Sequence, residues 1–339
     1  MGGDVMLLVF RNFVLGFFLM SSLVAQAEKG FYNPQDFFPS EVNESVYRFA
    51  SGLFFSQPIN DREHFEKLKF DFKDHKLLPR QLEQCWQKKQ SVCLMNLGVA
   101  VFGSVVAVDE AEDSVIWTNL HLVRPFLESK IEMHKGVPFS QIHKELKGWN
   151  IPLILKNRSG EVVFDSLNGS DEAHVVAIDS STLNPEGSFR ANSSDAVKMR
   201  LSRKIGPALK KGKILKPGDQ AFVIGYPKKT DDRQTSHSAP DSRGDGHQHV
   251  THGSILNPMA LVEKYALDPL VATLMLDEHY IYAIDSDCEV GQSGGAIVNK
   301  QGEFVGLFQS ILAPRSIGKH LACLGLNLNS LRFIEIMAE

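Results

Sequence analysis

From about residue 96 the chain alternates short apolar runs with Gly, Asp, Asn and Pro. Runs at 98–108, 115–118, 151–156, 161–164, 174–178, 196–201, 220–224, 280–285, 295–299, 303–309 and 322–328 have the length of strands. Many short strands separated by turn signals predict an all-β sandwich or barrel. Two helices flank this texture. Leu78, Leu82, Cys85 and Trp86 recur at spacings of three and four within 77–90, with Pro79 in the first turn. At 329–337, Leu331, Ile334 and Ile336 predict a closing helix capped by Asn329 or Ser330. Residues 28–95 are rich in Phe, Lys, Glu and Asp, with few Gly, and read as an N-terminal extension packed on the β-rich remainder of the chain. Residues 228–253 are polar and include His237, His247, His249 and His252, which predicts an exposed, mobile loop.

The 339 residues accommodate one large domain or two modest ones. Lys and Arg total 36 against 40 Asp and Glu, a net charge of -4 that argues against a polybasic nucleic-acid binder. With 43% hydrophobic and 22% charged residues, wholesale disorder is excluded. The first 27 residues differ from the rest. Arg11 precedes the apolar run 13–20, and Ala25-Gln26-Ala27 comes after it, the order of a cleaved secretory signal peptide. The expected mature chain is secreted or periplasmic and has no stable membrane insertion. Four cysteines (Cys85, Cys93, Cys288 and Cys323) permit disulfides in such a compartment, with three pairings open.

The chemistry concentrates in three places. Gly291-Gln292-Ser293-Gly294-Gly295 leads into the apolar Ala296-Ile297-Val298. A glycine turn exposes the Ser293 hydroxyl and aims the N–H groups of Gly291 and Ser293 at a developing oxyanion. An apolar strand runs into Thr118-Asn119-Leu120-His121-Leu122-Val123, downstream of the glycine strand Gly103-Ser104-Val105-Val106, and His121 is the candidate base. A carboxylate must orient that imidazole. Asp195, at the mouth of an alternating strand, fits better than Asp171 or Glu172, which also precede a strand.

In the order His121, Asp195, Ser293, these motifs resemble the trypsin-like serine peptidases of the chymotrypsin fold, and most closely the bacterial secreted, Deg-type protease domains. The likeness spans roughly 96–339 and includes Leu215 to Gly218-Asp219 and Ile224-Gly225-Tyr226-Pro227. It implies two six-stranded antiparallel β-barrels with the site between them, a C-terminal helix, and a partly helical N-terminal extension. The division expected is 1–27 signal peptide, 28–95 extension, 96–339 peptidase domain. The implied activity is endopeptidase cleavage of protein or peptide substrates through an acyl-enzyme, with no cofactor, no metal and no nucleic-acid partner. By the same likeness Asp287 falls at the base of the primary substrate pocket, and Phe308 and Gln309 line or narrow it. A disulfide Cys288–Cys323 is implied there, and Cys85–Cys93 is expected as well. Gln292 stands where relatives carry Asn or Asp, and Ala296 replaces Pro. The interval from His121 to Asp195 is long, which places an insertion within 130–149 or 168–190. The stretch after Ser293 is expected to hold no PDZ module. A catalytically inactive binding protein on the same fold is the alternative.

Overall fold

A computed structural model describes residues 32–74, 78–110, 114–124, 126–127, 150–167, 170–179, 195–227, 247–265, 281–289, 291–313, 320–328 and 333–335. The expected signal peptide, residues 228–246 and most of the expected insertion between His121 and Asp195 lie outside the described residues.

The described chain enters through a 3-10 turn, Pro34–Asp36, and the short helix α1 (Ser40–Glu44) into strand β1 (Val46–Pro58). Helix α2 (Arg62–Asp71) comes next, where the Asp61 side chain accepts from the His64 N–H at 2.8 Å and Phe65 and Leu68 turn inward. Helix α3 (Leu78–Gln87) buries Leu78, Leu82 and Cys85, as the spacing predicts. Strand β2 (Val92–Ala107) then returns antiparallel to β1, from Pro58 opposite Val92 to Val46 opposite Val106. The N-terminal half continues with β3 (Val115–Thr118), β4 (Leu153–Lys156), β5 (Val162–Asp165), β6 (Ala173–Asp179) and β7 (Val197–Leu201). The C-terminal half holds β8 (Gln220–Gly225), β9 (His249–Leu256), helix α4 (Pro258–Tyr265), β10 (Ile281–Ile284), β11 (Ala296–Val298), β12 (Phe304–Leu312) and β13 (Ala322–Asn327), and the last described strand is β14 (Phe333–Glu335).

The second group closes as a six-stranded barrel in the order β10-β13-β12-β11-β8-β9. The first forms an eight-stranded sheet, β14-β6-β7-β3-β2-β1-β4-β5, that curls on itself. Its curl brings Asn150 into a bridge with His174 of β6, and the Ile151 N–H donates to the Ala173 carbonyl at 2.7 Å. This is the mostly β, chymotrypsin-like architecture, with β5 and β14 added beside the curl. Strand alternation separates three apolar layers. Val105, Ile116, Leu155, Phe164 and Met199 fill the first half, and Val223, Ile284, Ile297, Val305 and Phe308 fill the closed barrel. Val106, Trp117, Ile224, Ala296 and Phe304 pack in a third layer of their own, between strands of both halves.

Three expectations change. The closing helix is not formed at 333–335. Phe333, Ile334 and Glu335 instead extend the sheet, opposite Asp179, Ile178 and Ala177. Pairing with the otherwise open edge of β6 satisfies the backbone N–H and C=O groups of this short segment without a helix. The polar stretch expected as a loop becomes strand β9 from His249 onward, antiparallel to β8. The segment expected as an extension contributes β1, which pairs with both β2 and β4. None of the described helices is long and apolar enough to cross a membrane.

Candidate active site

The turn after β3 delivers His121, and the segment before β7 delivers Asp195. β3 and β7 are neighbours, Thr118 opposite Val197, so these residues meet although 74 positions separate them. Asp195 is tied down through its backbone, its carbonyl accepting from the Asn119 side-chain amide at 2.8 Å and from the Leu120 N–H at 3.2 Å. One carboxylate oxygen accepts from the His121 backbone N–H at 2.7 Å. The other faces His121 Nδ1 in a short contact. The pairing fixes the ring and leaves Nε2 directed elsewhere. The imidazole is open to solvent, 43% exposed, while the carboxylate is largely covered at 15%.

Ser293 sits on the turn before β11. Gly291 and Gly294 hold φ of 100° and 80°, the left-handed region that favours glycine. A Cβ on Gly294 would meet the Ser104 carbonyl and the Thr118 hydroxyl, so the turn lies directly on β2 and β3. Ser104 brackets it. Its N–H donates to the Ser293 carbonyl at 2.8 Å and its hydroxyl to the Gly291 carbonyl at 3.3 Å. The backbone N–H groups of Gln292, Gly294 and Gly295 all find carbonyl acceptors. Among the described residues no carbonyl accepts from Gly291 or Ser293, the two donors expected to face an oxyanion. Gln292 is fully buried, and its Oε1 accepts from the Glu289 N–H at 2.8 Å, bracing the turn from within.

The Ser293 hydroxyl donates to the Gln309 carbonyl at 3.1 Å rather than to the His121 ring. Gly103 nonetheless brings the two loops together, since a Cβ there would fall 2.5 Å from a Leu122 methyl and 2.9 Å from the Ser293 carbonyl. The other acidic candidates stand apart. Asp171 accepts from Arg203 at 2.8 and 3.0 Å, and that guanidinium holds its carboxyl below the usual range. Glu172 pairs with His174 on the surface.

A profile of the trypsin-like peptidase domain matches residues 103–307, more than half the chain and inclusive of all three candidate residues. The chain belongs to the trypsin-like peptidases. No curated protein matches it. Among solved structures, the HtrA-type protease AlgW with a decapeptide is similar at 16% identity and a TM-score of 0.43, over 85% of this chain and 62% of that one. The active form of the Rv3671c protease from M. tuberculosis is similar at 15% identity and TM-score 0.41, over 86% and 79%. The serine endoprotease from Yersinia pestis is similar at 14% and 0.39, over 86% and 63%. This trypsin-like peptidase therefore spans less than two thirds of the first of these proteins.

Of the residues expected at the primary pocket, Asp287 is partly exposed, with His320 Nδ1 3.9 Å from its carboxylate. Gln309 offers its backbone carbonyl. Phe308 departs from expectation. Its side chain lies in the core of the closed barrel at 1% exposure, and what it presents to the Ser293 turn is its carbonyl, 2.9 Å from the Gly294 nitrogen. The sulfurs of Cys85 and Cys93, and of Cys288 and Cys323, are at bonding distance. Sequence reasoning assigned no role to Ser104 or Thr118. The only signal for them was their place inside the motifs around Gly103 and His121.

Proposed function

We propose that this chain is an exported serine endopeptidase that uses His121, Asp195 and Ser293. The observation that carries the proposal is Asp195 engaging both the backbone and the ring Nδ1 of His121 beside the Ser293 turn. With the Nδ1 proton directed at Asp195, Nε2 is the base. Rotation about the Cα–Cβ bond of Ser293 takes its hydroxyl from the Gln309 carbonyl toward Nε2. The oxygen attacks the scissile carbonyl, and the Gly291 and Ser293 N–H groups receive the oxyanion. His121 passes the proton to the leaving amine, and water then repeats the sequence on the acyl-enzyme. Asp287 and Gln309 flank the substrate's acyl side. Residues 1–27 serve as the signal peptide. Residues 96–339 form the peptidase domain, completed by β1 from the preceding extension. The paired cysteines support an oxidising destination, secreted or periplasmic.

A fluorophosphonate probe should label Ser293, and Ser293→Ala should abolish labelling and lower casein hydrolysis by roughly a millionfold. A second reading, a binding protein that has kept the fold, draws on the Ser293 hydroxyl being engaged by Gln309. An unsubstituted chain that takes no label and cleaves no casein favours that reading.

A further inference from the structure

The sheet of the N-terminal half has an outer face, turned away from its core. On β1, β4 and β5, Phe49, Leu155 and Phe164 point into that core. The residues between them point outward, because a strand alternates its side chains. Two rows of outward side chains cross the strands. Ser104, Arg48, Lys156 and Val162 stand opposite one another on β2, β1, β4 and β5, and Phe102, Ala50, Ile154 and Asp165 form the next row. Ser104 is buried under the C-terminal half, its hydroxyl held by Gly291 and Tyr226. Beyond it the face opens. Arg48, Ala50, Ile154 and Lys156 are half-buried, and Val162 is 53% exposed.

This face carries a charge arrangement that sheets disfavour. Arg48 and Lys156 are directly opposite on neighbouring strands, where like charges repel across a Cβ separation of about 5 Å. Arg158, two positions beyond Lys156, adds a third cation, and its guanidinium donates to the Asn33 side chain at 2.8 Å. Arg48 and Arg158 both oppose the upward shift that burial gives the Tyr226 phenol, which places the two guanidinium groups near one another. Among the described residues no carboxylate pairs with Arg48 or Lys156. The acids close by are engaged elsewhere. Glu161, between β4 and β5, accepts from the Asn157 amide at 2.9 Å and the Ser159 hydroxyl at 3.1 Å. Asp165 accepts from the Leu167 N–H at 2.9 Å. A repulsive pair kept beside an exposed valine breaks two local rules at once, and such breaks concentrate at functional surfaces.

We propose that this face docks an extended acidic segment of another polypeptide, with carboxylates across Arg48 and Lys156 and an apolar side chain over Val162. The whole chain carries a net charge of -4, so an acidic segment gains nothing from the overall field and is held by this local one. A membrane surface fits less well. Anionic bilayers are held by clusters of about four to eight cations, and this face offers Arg48, Lys156 and Arg158. From Arg48 to Val162 the face spans two strand spacings, about 10 Å, which about three extended residues cross. The inference stands whether or not Ser293 is a nucleophile.

The test uses the full chain carrying Ser293→Ala, so that no peptide is cut, and a short dye-labelled peptide of Glu interrupted by Val. Fluorescence anisotropy should show saturable binding that weakens steeply from low to physiological salt. Lys156→Glu should weaken it about tenfold, through one exposed pair lost and one repulsion gained, while Lys156→Arg retains it. Val162→Thr leaves an unpaired hydroxyl under the peptide and should cost about fivefold with the salt dependence kept. No binding at low salt overturns the proposal. Equal affinity for a counterpart peptide with Gln in place of Glu does so too, whether or not Lys156→Glu folds. Unchanged affinity in a folded Lys156→Glu chain has the same force. Cosedimentation with phosphatidylglycerol vesicles in the absence of peptide binding would give the face to a membrane, and self-association reversed by Lys156→Glu would give it to a second copy; either result overturns the proposal.

Discussion

Ser104 is buried and uses its backbone and hydroxyl together. It binds the carbonyls of Ser293 and Gly291, accepts the Tyr226 N–H on its hydroxyl at 2.9 Å, and accepts the Thr118 hydroxyl on its carbonyl. Removing the hydroxyl strands the Tyr226 N–H in a dry setting and frees the Gly291 carbonyl. Ser104→Ala should cost about 1–3 kcal/mol in denaturant unfolding and slow fluorophosphonate labelling of Ser293. Equal labelling rates in the two proteins would show that the turn holds its shape without this brace. The contrast with His121, Asp195 and Ser293 explains what a sequence reveals. Those three carry reactive groups whose residue types are themselves signals. The worth of Ser104 comes from partners 187 and 122 positions away, and nothing in the neighbouring residues announces them.

At the scale of elements, the β runs were legible because their half-buried faces impose alternation and their turns carry Gly, Asp and Asn. β1 and the start of β9 were not. β1 mixes Arg, Ser, Gln and Phe, since part of it leaves the sheet as a two-stranded ribbon with β2. β9 opens on the polar His249, and its His252 packs on the rings of Tyr32 and Phe222. Helices α2 and α3 cap the ribbon with a small core of their own, formed by Ile59, Phe65, Leu68, Leu78, Leu82, Cys85 and Cys93. The Cys85–Cys93 pair closes a short loop there, worth about 2.5 kcal/mol on a chain-entropy account. Leu82 is fully buried in this cluster. Leu82→Ala should loosen the cap by about 2–5 kcal/mol, seen as faster limited proteolysis within 59–91, while Ser293 labelling persists. Protection unchanged from the parent would mean that the cap draws its stability from the barrels.

The whole molecule is tied across its two halves by the segment that precedes β1. Tyr32 exchanges backbone hydrogen bonds with Val250 of the closed barrel at 2.9 and 3.0 Å, and the neighbouring Asn33 side chain accepts from Arg158, beyond β4, at 2.8 Å. Gln248 reaches back to the Asn43 carbonyl at 2.7 Å. Where this strap crosses β8 and β9, His252 sits among rings, stacked on Tyr32 at 5.1 Å and tilted against Phe37 and Phe222 at 5.3 and 5.6 Å. Among the described residues its ring is hydrogen-bonded by the Gln220 amide, 3.5 Å from Nδ1. Burial lowers the pKa of this imidazole below its usual 6.5. A folded value below the unfolded one means that the unfolded chain binds the extra proton first. The stability gained from packing a neutral ring is therefore fully present above about pH 6.5 and is lost as pH falls through the lower folded value. His252→Phe keeps the aromatic contacts without a titrating nitrogen. The parent should lose denaturation midpoint between neutral and mildly acid pH faster than the variant, and its residues 32–45 should become more open to proteolysis over the same interval. Parallel pH profiles for the two proteins would remove His252 from the account of how the halves are held together.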